Sequence, residues 1–264
     1  MQVLVESVGL RGNGLNGWPA SRPVLTGGAP YVPGELLLPP SDLLPAAERR
    51  RTGLPVKLAL SAGLDALARS TRPPDTLACV FTSSGGDGQV IHQICEALAG
   101  AERYVSPTRF HNSVHNAPAG YWSIALRSRA PSTSLCCFDW SFAAGLLEAC
   151  AYCTTEAEPV LLISYDLPYP EPLHAVRPIT GTLGAALLLA PQATSASFAR
   201  VDVQAGQGAR AATRMDDTAL ELLRIGNPTG RALPLLRALA GPMAATLVLD
   251  YLNGSVVTLA VSPC

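Results

Sequence analysis

Three apolar stretches of strand length constrain the fold most. Residues 159–166 (PVLLISYD) are apolar almost throughout, the pattern of a strand covered on both faces rather than one. Residues 76–83 (TLACVFTS) read as a buried strand, 182–190 (TLGAALLLA) as a further strand, and 133–138 (TSLCCF) is a strand by composition. Segments of helical pattern lie between them: 46–70, with Leu54, Leu58, Leu64 and Leu67 near helical spacing, then 88–99, 112–127 and 141–153. Strands that alternate with helices predict an α/β fold with a mainly parallel sheet. A first strand falls at 1–10 and another at 198–204, and two short helices (217–225 and 229–240) precede a hairpin turning at Asn253-Gly254. Residues 11–45 are rich in Gly and Pro and read as an irregular cap, and 105–111 and 167–178 as loops. With no clean boundary and no repeat, the chain reads as one domain over 1–264, with 205–264 of uncertain equivalence.

Composition narrows the function. Hydrophobic residues make up 48% of the 264 and charged ones 15%, with a net charge of −1, so neither a nucleic-acid groove nor an anionic membrane surface is indicated. A near-neutral, apolar chain also predicts a surface covered by another protein. No apolar run reaches the roughly 20 residues that span a bilayer. Seven cysteines in an odd, irregular set, with no signal peptide, point to the cytoplasm.

Several small motifs read as structural. Lys57 is the only lysine, which rules out a P-loop and leaves Lys57 as the sole candidate for Schiff-base chemistry, a role its amphipathic helical setting argues against. SSGGDG at 83–88 lacks the full dinucleotide fingerprint and reads as a tight strand-to-helix turn. Cys150 and Cys153 form a CxxC in an Ala/Leu-rich helix and read as small buried hydrophobes. His111 and His115 stand four apart but have no third ligand nearby, so no metal is expected.

The segment 106–141 carries the most specific pattern. Ser106, Pro107, Ser113, Asn116, Ala119, Gly120, Ser123 and Ile124 match the form S-P-x5-S-x2-N-x2-A-G-x2-S-I, and Ala130-Pro131-Ser132 then falls where a G-P-S tripeptide is expected. On these residues the chain resembles the β-ketoacyl synthases of the thiolase superfamily, in their short chain-length-factor-like form, over roughly residues 54–190. The resemblance implies a truncated thiolase-like fold corresponding to the synthase N-terminal half, layered α/β/α with a mainly parallel sheet.

The departures from that pattern decide the expected chemistry. Synthases place a cysteine at a nucleophile elbow after the tripeptide; here Asp139 stands there, in Cys137-Phe138-Asp139-Trp140-Ser141. Condensation needs a thiolate to accept the acyl chain, and a carboxylate would give a mixed anhydride instead. After Asp139 there is one histidine, His174, and no lysine, so the family's histidine and lysine motifs are missing. The expected protein is therefore a subunit with no catalytic residues and no cofactor, the alternative being an unusual acyltransferase or thioesterase using Cys137 or Ser141.

By the same resemblance it would pair with an active β-ketoacyl synthase, meet an acyl carrier protein through that complex, and serve an aryl-polyene-type pathway. Ser132, Thr133, Ser134, Leu135, Cys136, Cys137 and Phe138 would form the seam, joined by Ser113, His115 and Asn116. Phe110, Val114 and Trp140 would line or close the partner's acyl tunnel, Val114 at the gating position.

Overall fold

The computed structural model describes residues 1–39, 42–208 and 210–264. The chain opens with strand β1 (Gln2–Gly12), which turns into the short β2 (Leu15–Asn16) and helix α1 (Trp18–Leu25). Helix α2 (Ala46–Arg49) and α3 (Leu54–Leu67) follow, separated where Gly53 caps α3 and Pro55 enters its first turn. Strand β3 (Ala78–Thr82) leads to α4 (Gly88–Ala99), α5 (Pro107–Asn112) and α6 (Ala117–Leu126), then β4 (Ser132–Leu135). Helix α7 (Ser141–Thr155), β5 (Val160–Asp166), the one-turn α8 (Leu173–Val176), β6 (Leu183–Ala190) and β7 (Ala199–Gln207) continue the chain. It closes with α9 (Thr218–Gly226), α10 (Leu233–Ala240) and the hairpin β8 (Ala245–Tyr251) and β9 (Ser255–Pro263).

All strands join one sheet in the order β4-β3-β5-β6-β1-β7-β9-β8, with β2 on the end of β1. Its two faces are both covered, as the apolar strands require. On β5, Val160 and Leu162 face a core built with α7 and α10, while Leu161, Ile163 and Tyr165 face one built with α3 and α6. β1 lies close against α3: a Cβ on Gly9 would stand 2.0 Å from the Ala62 carbonyl oxygen, so only glycine fits.

The layered α/β/α architecture matches the sequence expectation, but the mainly parallel sheet is limited to one side. β3 runs parallel to β4 and β5, and the β5–β6, β6–β1, β1–β7, β7–β9 and β9–β8 pairings are antiparallel. The connections explain the difference. Helical crossovers link β3, β4 and β5, whereas β5 reaches β6 through residues 167–182 with only the one-turn α8, so the chain turns straight back. Inside the cap expected at 11–45, WPASRPVL forms α1, and the loop expected at 105–111 contains α5. The helix expected at 112–127 begins only at Ala117. The hairpin turns through 252–254, with Gly254 at φ 77. No helix among the described residues is long and apolar enough to cross a membrane.

Candidate functional site

Three segments meet at the carboxyl ends of the parallel strands: the loop 83–87 after β3, the turn after β4, and the end of β5 at Asp166. In open α/β sheets this is where ligands and reactive groups collect.

The turn after β4 has an elbow's form. Leu135 ends the strand, Phe138–Trp140 makes one 3₁₀ turn, and α7 starts at Ser141. Phe138 has φ 51, a left-handed conformation that costs a non-glycine residue about 1–2 kcal/mol. Local bonds hold it there. The Cys137 amide donates to Ser141 Oγ at 3.0 Å, that hydroxyl donates to the Phe138 carbonyl at 2.7 Å, and Thr82 Oγ1 donates to the Ser141 carbonyl at 2.7 Å.

Asp139 follows Phe138, and its carboxylate is engaged. Arg177 Nη2 donates to Asp139 Oδ1 at 2.9 Å, and the same guanidinium lies 3.5 Å from the centre of the Phe138 ring. The two neighbouring candidates, Ser141 and Cys137, are placed as follows. Ser141 is wholly buried and uses its hydroxyl as a cap between Cys137 and Phe138. Burial, with Cys136 adjacent, pushes the Cys137 thiol up, away from the thiolate. Cys136 is exposed and donates its thiol to the Ser84 carbonyl at 3.0 Å.

Asp166, at the end of β5, was not singled out from the sequence, yet it organises the neighbouring loop. It accepts the Ser84 amide at 2.8 Å and Ser84 Oγ at 2.7 Å on one oxygen, and Thr229 Oγ1 at 2.8 Å on the other. Burial pushes its carboxyl up, while the bonds from Ser84, Thr229 and Ser83 act the other way. Its sequence signal was a carboxylate ending an otherwise apolar strand beside two serines that follow the adjacent strand.

The remaining sequence-singled residues divide as follows. SSGGDG is the expected tight turn: Gly86 has φ 65, and Asp87 caps α4 by accepting the Val90 amide at 3.0 Å. Cys150 and Cys153 are fully buried in α7, their thiols pushed up to about 12 and about 11, by burial first. His111 and His115 do not share a helix face, because α5 ends at Asn112. His111 packs edge-on to Tyr121, whereas His115 Nε2 lies 3.0 Å from the Ser83 carbonyl and so carries the proton.

Ser113 and Asn116 stand between α5 and α6, with Ser113 Oγ donating to the Phe110 carbonyl at 2.8 Å. Ser132–Leu135 form β4, the outermost strand of the sheet, while Cys136, Cys137 and Phe138 have left the strand and belong to the elbow. Phe110 and Val114, 68% and 50% exposed, line a cavity of about 440 Å³ with Tyr121 and Ile124. Trp140 is not part of it; it lines a separate opening of about 400 Å³ with Asp139, Arg210 and Arg231.

The architecture is that of the thiolase-like condensing enzymes. The family model for the β-ketoacyl synthase N-terminal domain matches residues 27–226. The chain belongs to that family. Among solved structures, it is similar to a chain of a ketosynthase in complex with its chain length factor from Xenorhabdus doucetiae, at 21% identity and TM-score 0.74, covering 98% of this chain and 99% of that one. A β-ketoacyl synthase from Burkholderia phymatum STM815 aligns at 12% identity and TM-score 0.71, covering 100% of this chain and 99% of that one. A structure described as a type II polyketide acyl-carrier protein in complex with its ketosynthase aligns at 13% identity and TM-score 0.73, over 100% of this chain and 99% of that one. A search of curated proteins finds no significant match.

Proposed function

We propose that this chain is a chain-length-factor-like subunit that performs no condensation itself. It pairs in the cytoplasm with an active β-ketoacyl synthase, meets the acyl carrier protein through that complex, and shapes the partner's acyl tunnel during assembly of a polyene of the aryl polyene type. The observation that carries the reading is Asp139 at the elbow, held by Arg177 where a condensing enzyme presents a free thiolate. Supporting it are β4 at the sheet edge, with Ser132 and Thr133 exposed, and the exposed apolar side chains Phe110, Val114, Ile124 and Phe138. The similarity to a chain of a ketosynthase in complex with its chain length factor supports the same reading.

Phe110 and Val114 share one groove and form the tunnel wall of this reading; Trp140 guards the elbow side. Each methylene admitted or excluded by such a wall is worth roughly 0.8 kcal/mol, so one bulky side chain shifts product length without catalysis. The test is co-expression with a candidate partner synthase, isolation of the heterodimer, and mass analysis of the product. Val114→Trp is expected to shorten the product by at least one two-carbon unit while the heterodimer persists. Unchanged length and yield in a confirmed heterodimer would refute the tunnel role.

A further inference from the structure

Beside α3, and sharing no lining residue with the elbow, is a cavity of about 400 Å³ to which Leu38, Leu44, Arg49 and Thr52 contribute from the preceding stretch of chain. That volume lies within the range of small-molecule sites. Its apolar walls are Leu38 and Leu44 from that stretch and Leu60, Leu64 and Ala68 from α3. Its polar residues are mostly donors. Lys57, the only lysine of the chain, lines the cavity at an exposed position, and its ammonium makes no ion pair or hydrogen bond among the described residues. Arg11 Nε and Ser61 Oγ are buried and have no partner among the described residues, and Ser61 is 7% exposed. Buried donors without acceptors are costly and uncommon.

The acceptors of the same wall are already engaged. Asp65 takes the Leu10 and Trp18 amides, both at 2.9 Å, on one oxygen, and faces Arg11 and Arg69 at 3.5 Å with the other. Arg49 donates to Asp42 at 2.6 Å, which leaves Lys57 as the cation without a counter-ion. Donors in surplus, one uncompensated positive charge and an aliphatic lining call for a ligand that accepts hydrogen bonds, carries one negative charge and has an unbranched tail. An ionised carboxylate only accepts.

We propose that this cavity binds a medium-chain aliphatic carboxylate, its head group held by Lys57 and Arg11 and its tail against Leu38, Leu44, Leu60 and Leu64. The site is separate from the elbow and from β4, so it stands or falls independently of the pairing proposed above, and its test needs no synthase.

The test is calorimetric titration of the full chain with hexanoate, octanoate and decanoate below their micellar concentrations, with decanol and decyltrimethylammonium as controls. Saturable one-site binding is expected, tightening about fourfold per added methylene. Decanol should bind at least tenfold more weakly than decanoate, and the cation not at all. Lys57→Glu, at an exposed position, should weaken decanoate at least tenfold while Lys57→Arg retains it, and Leu64→Trp, which fills the cavity, should abolish binding. The proposal is overturned by absence of saturable binding, by affinity independent of chain length, by equal binding of the ammonium amphiphile, or by a Lys57→Glu chain that binds decanoate as the parent does.

Discussion

Asp139 and Asp166 stand at the same end of the sheet, and they are held in opposite ways. Asp139, after the edge strand β4, is partly open to water and paired with one arginine. Asp166, at the end of the interior strand β5, is 2% exposed and is held by a backbone amide and three hydroxyls, with no cation. An exposed ion pair contributes little to stability, because water competes for both charges. A buried carboxylate that satisfies four donors cannot be removed without leaving those donors unpaired. Asp166 thus belongs to the scaffold that sets the shape of the 83–87 loop, whereas Asp139 occupies a position whose chemistry could change without cost to the fold.

This contrast yields a graded set of outcomes. Asp166→Ala is expected to destabilise the chain by about 3 kcal/mol or more, since it orphans the Ser84 amide and the Ser84 and Thr229 hydroxyls. Urea unfolding measures this, and a loss below about 1 kcal/mol would remove Asp166 from the scaffold. Glu6→Gln ranks next, at about 2 kcal/mol, because Arg72 donates to both Glu6 oxygens, at 2.5 and 2.7 Å. Arg177→Ala or Asp139→Ala ranks last, at about 1 kcal/mol or less, on the same assay.

The pH dependence separates the first two. Burial raises the Asp166 carboxyl, so the native state holds its proton longer than the unfolded chain does. Its contribution is full below the unfolded value of about 3.9 and declines as pH rises through the higher folded value. The Arg72 bonds lower Glu6, so its contribution is present above about 4.3 and is lost as pH falls through the lower folded value. Unfolding free energies measured from acid to neutral pH should therefore show parent stability falling relative to Asp166→Asn as pH rises. The same measurement should show the gap between parent and Glu6→Gln closing as pH falls. A reversed slope in either variant contradicts the assignment.

Much of this was legible in the sequence wherever local pattern determines structure. PVLLISYD had to be covered on both faces because it is apolar almost throughout, and Asn253-Gly254 marked the hairpin by its backbone needs. The spacing from Ser106 to Ser132 drew attention to residues 137–141, and Phe138–Trp140 form a 3₁₀ turn between β4 and α7. What depends on distant pairing was not legible. The reversal at β6 is set by a connection, residues 167–182, that holds only the one-turn α8, and α1 was obscured by the two prolines within WPASRPVL. Arg177 lies 38 residues from Asp139, and Thr229 lies 63 from Asp166, so no local spacing announced either contact. The three expected tunnel residues divided because Trp140 turns with the elbow while Phe110 and Val114 ride on the α5–α6 segment.

The central claim is that the elbow of this chain does no acyl chemistry. Intact-mass analysis of the purified chain, incubated alone with acyl-carrier and malonyl-carrier thioesters, tests it most directly. Unmodified protein and no elongated product are expected, both for the parent and for Asp139→Cys assayed for elongation, since a thiol restored without its histidines has no partner for decarboxylation. An acyl adduct on the parent chain, or a carbon–carbon bond formed by it in isolation, would contradict the account.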